Sequence, residues 1–309
     1  MAQALAELEE AQVEPYYDEA ADAAERQAYY AGVTEDRSRA PSAERLSALL
    51  RSTHTRPVRY DSGRSVYVKA ELHEDGLLRS IYSDVTFEPR EAIREVVMLD
   101  ERRKAAEASI AAGNFSEVAA LQEIDLLEAT SPFNCEHVVP QSWFRKKEPM
   151  RGDMHHLFAC GSNCNSFRGN TPYYDFPDFE DAIMSDCGKR ERIESDSPED
   201  SGFEPERGKA VVARATLYFL LRYPDTISTT SLPADRIDIL VGWSKATPPS
   251  TYERHRNRTI FQRQGNRNPL IDFPEWAESI RFESLLKDGG IGDAPNEDDG
   301  ATLPPNYPT

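Results

Sequence analysis

The spacing of apolar residues predicts helices and two strands in the first half of the chain. The first dozen residues and Ala43–Arg51 have the spacing of helices. Arg64–Ala70 and Ser80–Phe87 alternate apolar with polar residues, which is typical of strands. Ile93–Leu127 again has helical spacing, and because a Gly-Asn pair interrupts it we predict two helices there.

The second half of the chain contains one long apolar segment and one irregular segment. Residues 208–224 predict a helix that is buried nearly all round, because Arg214 is the only charge in its middle. From Ser131 onward the chain is rich in Pro, Asn, Cys, His and Gly and has little periodicity, as catalytic segments often do. Glu194–Glu206 indicates a mobile acidic loop.

Size and composition are those of a soluble globular protein. The chain has 309 residues, of which 39% are hydrophobic and 29% are charged. A membrane-spanning helix needs a run of about 18 apolar residues, and the sequence has none. The N-terminal sequence lacks the basic start and apolar core of a secretory signal, so we expect a cytoplasmic protein.

The net charge of −18 is concentrated in three segments. Residues 1–44 hold eleven acids against three bases, residues 194–206 hold six acids and no base, and residues 283–309 hold six acids and one base. Residues 245–268, by contrast, hold six lysines or arginines against one glutamate. Because the acidity is confined in this way, the overall charge does not exclude a polyanionic ligand on a local basic surface.

The first candidate for chemistry is the segment EHVVPQSWF at residues 136–144. A carboxylate can hold a metal ion, and a neutral histidine, with an ordinary pKa of about 6.5, can take a proton from water. Adjacent residues of a strand point to opposite faces, so Glu136 and His137 act on one substrate only if the backbone twists locally. Taken alone, the pair favours a surface glutamate beside a packed histidine.

A second segment, GDMHHLFACGSNCNSFRGN at residues 152–170, supplies further polar groups. Asn170 offers a neutral carbonyl oxygen and Glu136 a charged one, which suits Mg2+ because this ion keeps several waters and takes few protein ligands. Arg168 offers a planar guanidinium that matches phosphate oxygens. His137 and Asn170 are 33 residues apart, enough for two strands and the start of a helix to fold over one ion.

Five ordered blocks of the sequence resemble the endonuclease I family of ββα-metal, or His-Me finger, nucleases. Weaker similarity extends the resemblance to roughly residues 14–280, and the chain resembles exported bacterial members, which makes secretion the alternative to a cytoplasmic protein. Any one block is a weak signal, but their common order is specific. The blocks are EHVVPQSWF, GDMHHLF, CNSFRGN, FEPERGKAVVARATLYFLLRYP and WSKATPPSTYERHRNRTIFQRQGNRNPLIDFPEW.

The resemblance implies a metal-dependent endonuclease that cuts DNA, with RNA as a further option, shows little sequence preference and leaves 5′-phosphate ends. At matching positions it implies that His137 is the general base and that Glu136 and Asn170 bind Mg2+, with Mn2+ or Ca2+ as alternatives. Arg168 is the matching arginine, and we add the prediction that it contacts phosphate. His156 stands where many members have asparagine, so its role is open.

A basic stretch outside these segments is a candidate nucleic-acid surface. Arg254, Arg256 and Arg258 alternate along the sequence, so on a strand they would share one face. We expect them to contact the phosphate backbone, with Arg263 and Arg267 following in the same stretch. A solvated or salt-bridged basic loop is the competing interpretation.

All four cysteines bracket the segment that carries the candidate site. Cys135, Cys160, Cys164 and Cys187 either form a structural four-thiolate zinc site, with Cys160 and Cys164 as one half, or form two disulfides. A reducing compartment favours zinc or unlinked thiols, whereas the resemblance to exported nucleases favours disulfides. The sequence leaves these alternatives open.

We therefore predict an α+β fold in which a small ββα-metal finger, about Cys135–Asp178, is embedded in a mostly helical body. We expect an acidic extension over residues 1–13, a nuclease domain over 14–282 and a disordered acidic tail over 283–309. The protein is expected to be a monomer that binds no membrane. Two other functions fit parts of the sequence: a non-catalytic nucleic-acid-binding protein, and a zinc-stabilised interaction module.

Overall fold

The computed structural model describes residues 2–33, 40–60, 69–112, 132–177, 186–193 and 201–288. This part of the chain is α+β, as predicted, with three antiparallel sheets of two strands each. The helices are α1 (Ala2–Val13), α2 (Glu19–Tyr29), α3 (Ala43–Thr53), α4 (Pro89–Ala111), α5 (Ser162–Arg168), α6 (Lys209–Arg222), α7 (Ala234–Ala246), α8 (Thr251–Gln264) and α9 (Pro269–Asp272). The strands are β1 (Leu78–Arg79), β2 (Thr86–Phe87), β3 (Phe133–His137), β4 (Leu157–Gly161), β5 (Gly188–Arg192) and β6 (Ser201–Pro205).

Helix α6 runs through the larger of two hydrophobic cores. Every residue of the stretch 212–221 is buried, which confirms the predicted buried helix. The single charge within that stretch, Arg214, donates to both carboxylate oxygens of Glu253 at 2.7 and 2.9 Å, so the buried cation is paired. Gly208 precedes the helix with φ of 78°, and a Cβ there would lie 2.5 Å from the carbonyl oxygen of Ile81, so the helix entry requires glycine.

Strands β3 and β4 form a hairpin that lies between the two cores. The register pairs Cys135 with Ala159 and Glu136 with Phe158. Because alternate residues face opposite sides, Cys135 and Ala159 pack into the smaller core while Phe158 and Cys160 pack into the larger one. A strand that is buried on both faces shows no alternation of apolar and polar residues, which is why this hairpin gives no periodic signal in the sequence.

The acidic N-terminal helix α2 is fastened to the C-terminal half by ion pairs. Arg267 donates to Asp22 at 2.7 Å, and Arg258 in α8 donates to both carboxylate oxygens of Glu25 at 2.9 and 3.0 Å. Two acids of the N-terminal segment therefore neutralise arginines of the basic stretch 245–268.

No helix in the described part of the chain is long and apolar enough to cross a membrane.

Several predicted elements are confirmed and others are wrong. Helices α1, α3 and α4 confirm the predictions at the first dozen residues, at Ala43–Arg51 and at the start of Ile93–Leu127. The predicted strand Ser80–Phe87 is wrong, because Ser80 donates its backbone N–H to Val85 in a turn and only its last two residues pair with β1. Within the predicted acidic loop, residues 201–205 form strand β6 instead, paired with β5.

Four predictions fall wholly or partly outside the described residues, and one of them is the acidic loop, of which residues 194–200 lie there. The predicted strand Arg64–Ala70 lies there up to residue 68, and residues 69–71 are helical. The second helix predicted after Gly113 and the acidic tail beyond residue 288 also lie outside the described ranges.

Candidate active site

Glu136 is a buried carboxylate whose hydrogen bonds all fall on one oxygen. The residue is 2% exposed, and its Oε1 accepts from the Tyr82 hydroxyl at 2.7 Å and from Arg168 Nη1 at 2.9 Å. Burial raises the pKa of Glu136, and the Arg168 cation opposes that rise. Among the described residues nothing hydrogen-bonds to Oε2, which leaves this oxygen to serve as a ligand.

His137, the last residue of β3, is oriented by the backbone of a later turn. Its Nε2 lies 2.9 Å from the carbonyl oxygen of Arg151. Because a carbonyl only accepts hydrogen bonds, Nε2 carries the proton and Nδ1 is the basic nitrogen of the neutral ring. The Tyr60 ring packs against the imidazole with centroids 4.8 Å apart. A fixed ring with a defined tautomer is what a general base requires.

Arg168, the last residue of α5, hydrogen-bonds from a buried position to Glu136 and to the backbone around it. Its Nη1 donates to Glu136 and to the carbonyl of His137 at 3.0 Å, Nη2 donates to the carbonyl of Val138 at 2.9 Å, and Nε donates to the carbonyl of Thr171 at 3.2 Å. The residue is 1% exposed. Arg168 therefore positions Glu136 and the end of β3, and the phosphate contact predicted for it has no support in this geometry.

Asn170 lies on the exposed side of a tight loop that encloses the Arg168 side chain. Gly169 has φ of 56°, and Thr171 donates its N–H to the Arg168 carbonyl at 3.2 Å while accepting from the guanidinium. No group of three or more His, Cys, Asp or Glu side chains in the described part of the chain could hold a metal. An ion here would depend on the oxygens of Glu136 and Asn170 and on water, a donor set that fits Mg2+.

Two buried tyrosines, which the sequence did not point to, complete the surroundings of Glu136. Because the Tyr82 hydroxyl donates to Glu136, the Tyr173 hydroxyl 2.7 Å away donates to Tyr82. Burial raises the pKa of both phenols, so they stay neutral donors. Tyr173 lies just beyond Asn170, and this position beside a candidate site residue could have marked it as part of the site. Tyr82 is 54 residues from Glu136, and nothing in the sequence links the two.

His156, whose role was open, packs behind His137 as scaffold. Its Nε2 lies 2.6 Å from the carbonyl oxygen of Met150, and its ring centroid is 5.3 Å from that of His137. Burial lowers the pKa of His156 to about 4, so the ring is neutral at physiological pH. The residue therefore supports the His137 ring without adding a charge.

Asp153, which precedes His155 and His156 in the chain, is a buried carboxylate that binds several surrounding side chains. Its carboxylate accepts from the hydroxyls of Tyr218 and Tyr223 at 2.8 and 3.0 Å and from the Gln264 amide at 3.0 Å. Burial alone raises the pKa of Asp153, but the neighbouring histidines and the Gln264 hydrogen bond outweigh it and hold that pKa well below its ordinary value. A buried anion with this many donors is a structural anchor.

The basic stretch around residue 256 is helix α8, so the shared face that the three arginines would have on a strand is not present. Arg256 is 2% exposed and donates to Glu71 at 2.5 Å, to the backbone carbonyl of Met154 and to that of Leu157, the first residue of β4. Arg258 is paired with Glu25, and Arg254 is exposed. Arg256 is thus part of the scaffold, while contact of Arg254 and Arg258 with nucleic acid stays a prediction.

Two of the four cysteines form a disulfide, and the other two are buried thiols. Cys164 in α5 is bonded to Cys187, which directly precedes β5. Cys135 and Cys160 lie on neighbouring strands but face opposite sides of the hairpin, so they cannot meet each other. The disulfide uses two of the four thiols that a four-thiolate zinc site requires, so such a site is not shown, and of the two disulfides predicted as its alternative one is present.

The comparison with known families agrees with this site. Residues 120–275, half of the chain, match the family described as Endonuclease I. The chain therefore belongs to the endonuclease I family. The matched region contains the whole β3–β4 hairpin, helix α5 and the buried helix α6.

Parts of the chain are similar to bacterial proteins that are named as nucleases. It is 32% identical over 163 residues to "Extracellular ribonuclease" of Bacillus subtilis (strain 168), covering 48% of this chain and 54% of the relative. It is 28% identical over 165 residues to "Extracellular deoxyribonuclease" of Aeromonas hydrophila, covering 47% and 67%. It is 30% identical over 125 residues to "Periplasmic deoxyribonuclease" of the same organism, covering 40% and 48%. The chain spans about half the length of the ribonucleases it matches.

Proposed function

We propose that this protein is a metal-dependent endonuclease that hydrolyses phosphodiester bonds of DNA, and of RNA as a second substrate. The observation that carries the proposal is the end of strand β3. There a buried carboxylate with one oxygen left for a ligand, Glu136, adjoins a histidine of fixed tautomer, His137. Strands β3 and β4 with helix α5 would form the ββα-metal finger. Names of relatives include both a ribonuclease and a deoxyribonuclease, which is why both polymers are proposed.

His137 is the proposed general base. Its Nδ1 takes a proton from a water molecule as the water oxygen attacks phosphorus and the bond to the leaving oxygen breaks. The imidazolium that results keeps its Nε2–H on the Arg151 carbonyl, and this hydrogen bond stabilises the new positive charge. A positioned base of this kind contributes roughly 10²–10⁴-fold to the rate.

Glu136 and Asn170 are the proposed metal ligands, through Oε2 and the side-chain amide oxygen. Mg2+ is the ion that suits two hard oxygen donors and several waters, with Mn2+ and Ca2+ as alternatives. When bound, the ion supplies Lewis-acid polarisation of the phosphate and stabilises the leaving 3′ oxygen, which leaves the 5′ end phosphorylated. Tyr82 and Arg168 hold the Glu136 carboxylate from the other oxygen.

The proposed place of action is outside the cytoplasm, in contrast to the expectation from the N-terminal sequence. Disulfides persist in oxidising compartments, and the Cys164–Cys187 bond fits such a setting. Relatives named extracellular or periplasmic point the same way. Export would also keep a nuclease of low sequence preference away from the genome of its host.

The test is digestion of supercoiled plasmid and of single-stranded RNA by the purified protein. Cleavage is expected with Mg2+ and is expected to stop in EDTA. Polynucleotide kinase should label the products only after phosphatase treatment, because the new 5′ ends carry phosphate. Cleavage that continues in EDTA contradicts the metal requirement. Binding without cleavage under any divalent ion favours the non-catalytic nucleic-acid-binding protein.

A further inference from the structure

Many positively charged side chains of this protein are already matched to acids. Because a paired cation offers little net charge to a polyanion, these bases are poor candidates for docking nucleic acid. The pairs are Arg79–Asp75, Arg90–Glu9, Arg207–Asp84, Arg214–Glu253, Lys245–Glu278, Arg256–Glu71, Arg258–Glu25 and Arg267 with Asp22 and Asp272.

The basic turn, residues 145–151 with the sequence RKKEPMR, is different. Arg145, Lys146 and Lys147 are consecutive and exposed, and none of them forms an ion pair with a described residue. The acid of the turn, Glu148, accepts backbone N–H groups with both oxygens, from Tyr60 at 2.9 Å and from Gly152 at 3.0 Å. Its carboxylate is therefore directed at the backbone and not at the three bases.

The basic turn is attached directly to the candidate active site. At one end it follows Phe144, whose ring centroid lies 6.5 Å from that of His137. At the other end Arg151 accepts the His137 Nε2–H on its carbonyl oxygen at 2.9 Å, and its N–H closes the turn on the Lys147 carbonyl at 3.0 Å. The segment that carries the three exposed bases thus contacts the His137 ring at both of its ends, through Phe144 and through the Arg151 carbonyl.

The backbone of the turn is held in a conformation that side chains seldom adopt. Arg145 and Lys146 have φ of 57° and 54°, in the left-handed region where glycine or asparagine is favoured. Backbone N–H groups of both residues donate to the preceding short helix, Lys146 to Gln141 at 2.9 Å. The surrounding structure therefore fixes where these two bases stand.

We propose that the basic turn binds the phosphates that flank the cleaved phosphodiester, and so docks the nucleic-acid backbone beside His137. The inference rests on the proposed function and names the surface that receives its substrate. Its chemistry recognises the phosphodiester backbone common to DNA and RNA. Because contact is made with phosphates and not with base edges, docking of this kind carries no sequence information.

The experiment measures binding of fluorescein-labelled duplex DNA and single-stranded RNA by anisotropy in EDTA over a series of salt concentrations. The test variant is Arg145→Gln/Lys146→Gln/Lys147→Gln. The control variant, Arg51→Gln/Arg102→Gln/Lys104→Gln, removes the same charge from exposed positions on α3 and α4. Circular dichroism and thermal unfolding show whether each variant is folded.

Loss of three phosphate contacts should weaken binding on the order of tenfold at low salt. The slope of log affinity against log salt should become shallower by about 2.7 on duplex DNA and about 2.1 on single strands. The control variant should bind as the wild type does. Equal slopes for test and control variants would overturn the inference, even if the wild type cleaves. A wild type that binds through the turn without cleaving would uphold it while the proposed nuclease activity failed.

Discussion

At the scale of single residues, the site depends on how a buried carboxylate is held. Glu136 receives the Tyr82 hydroxyl and the Arg168 guanidinium on the same oxygen, at 2.7 and 2.9 Å. Hydrogen bonds to a metal ligand from its surroundings fix its orientation and tune its affinity. Tyr82 is therefore a positioning residue, one step removed from any ion.

Replacing Tyr82 by phenylalanine should weaken metal binding. Loss of such a supporting hydrogen bond costs about 10- to 100-fold in metal affinity. Isothermal titration with Mn2+ measures the change in dissociation constant directly, without relying on cleavage.

The matched control for this measurement is Tyr252→Phe. Tyr252 is a partly buried tyrosine that donates to a buried glutamate, Glu71, at 3.0 Å, but it lies in α8 away from the site. This variant loses an equivalent hydrogen bond and should bind Mn2+ as tightly as the wild type. Equal weakening by both substitutions would show that the Tyr82 effect is a general loss of stability.

The site could be predicted from the sequence only where its residues lie in short motifs. Glu136 and His137 are adjacent, and Arg168 and Asn170 are two apart, so their types and order could be recognised. The Arg151 carbonyl that fixes the His137 tautomer is a backbone group, and sequence patterns say nothing of it. Burial of Arg168 was also missed, because an arginine beside glycine and asparagine looks exposed.

At the scale of secondary-structure elements, helix α5 is joined to the β5–β6 hairpin by a covalent link. The Cys164–Cys187 disulfide joins the middle of α5 to the start of the β5–β6 hairpin across a sequence separation of 23 residues. A crosslink of this span restricts the unfolded chain and stabilises the folded one by roughly 3 kcal/mol.

Reduction of the disulfide should therefore lower the free energy of unfolding by about 3 kcal/mol. Urea unfolding with and without dithiothreitol measures the difference. The double variant Cys164→Ser/Cys187→Ser should have the stability of the reduced wild type and should not respond to dithiothreitol. If the reductant shifted both proteins alike, the effect would not come from this bond.

The elements that could be predicted from the spacing of apolar residues are those in which burial follows one regular pattern along the element. Helix α6 is buried throughout and α3 is amphipathic, so both could be read from spacing. The three alternating arginines lie on helix α8 and share no face, because each has its own surroundings: Arg256 is buried, Arg258 is paired and Arg254 is exposed. Those surroundings come from residues far away in the sequence, such as Glu71 and Glu25.

At the scale of the whole molecule, buried histidines make the free energy of unfolding depend on pH. Burial lowers the pKa of His155 to about 3 and that of His156 to about 4. Both rings stay neutral in the folded protein, while in the unfolded chain they take up protons below about pH 6.5. Their contribution to stability is therefore present above pH 6.5 and is lost as the pH falls towards 4.

The free energy of unfolding should fall steeply between pH 6.5 and pH 4. Each of the two histidines contributes a slope of about 1.4 kcal/mol per pH unit. His156→Asn removes one of them, so this variant should lose about 3 kcal/mol less than the wild type over the same window. Urea unfolding from pH 7.5 to pH 4.5 measures both slopes. Parallel curves for the two proteins would show that His156 does not titrate in this way.

The most direct test of the central claim is single-turnover cleavage of a labelled DNA duplex in Mg2+ by the wild type, by His137→Ala and by His73→Ala. His73 is a partly buried histidine stacked on Tyr252, outside the site, and serves as the control. We predict that His137→Ala is at least about a hundredfold slower while His73→Ala cleaves at the wild-type rate. Cleavage by His137→Ala at the wild-type rate would contradict the account, because another group would then be the base.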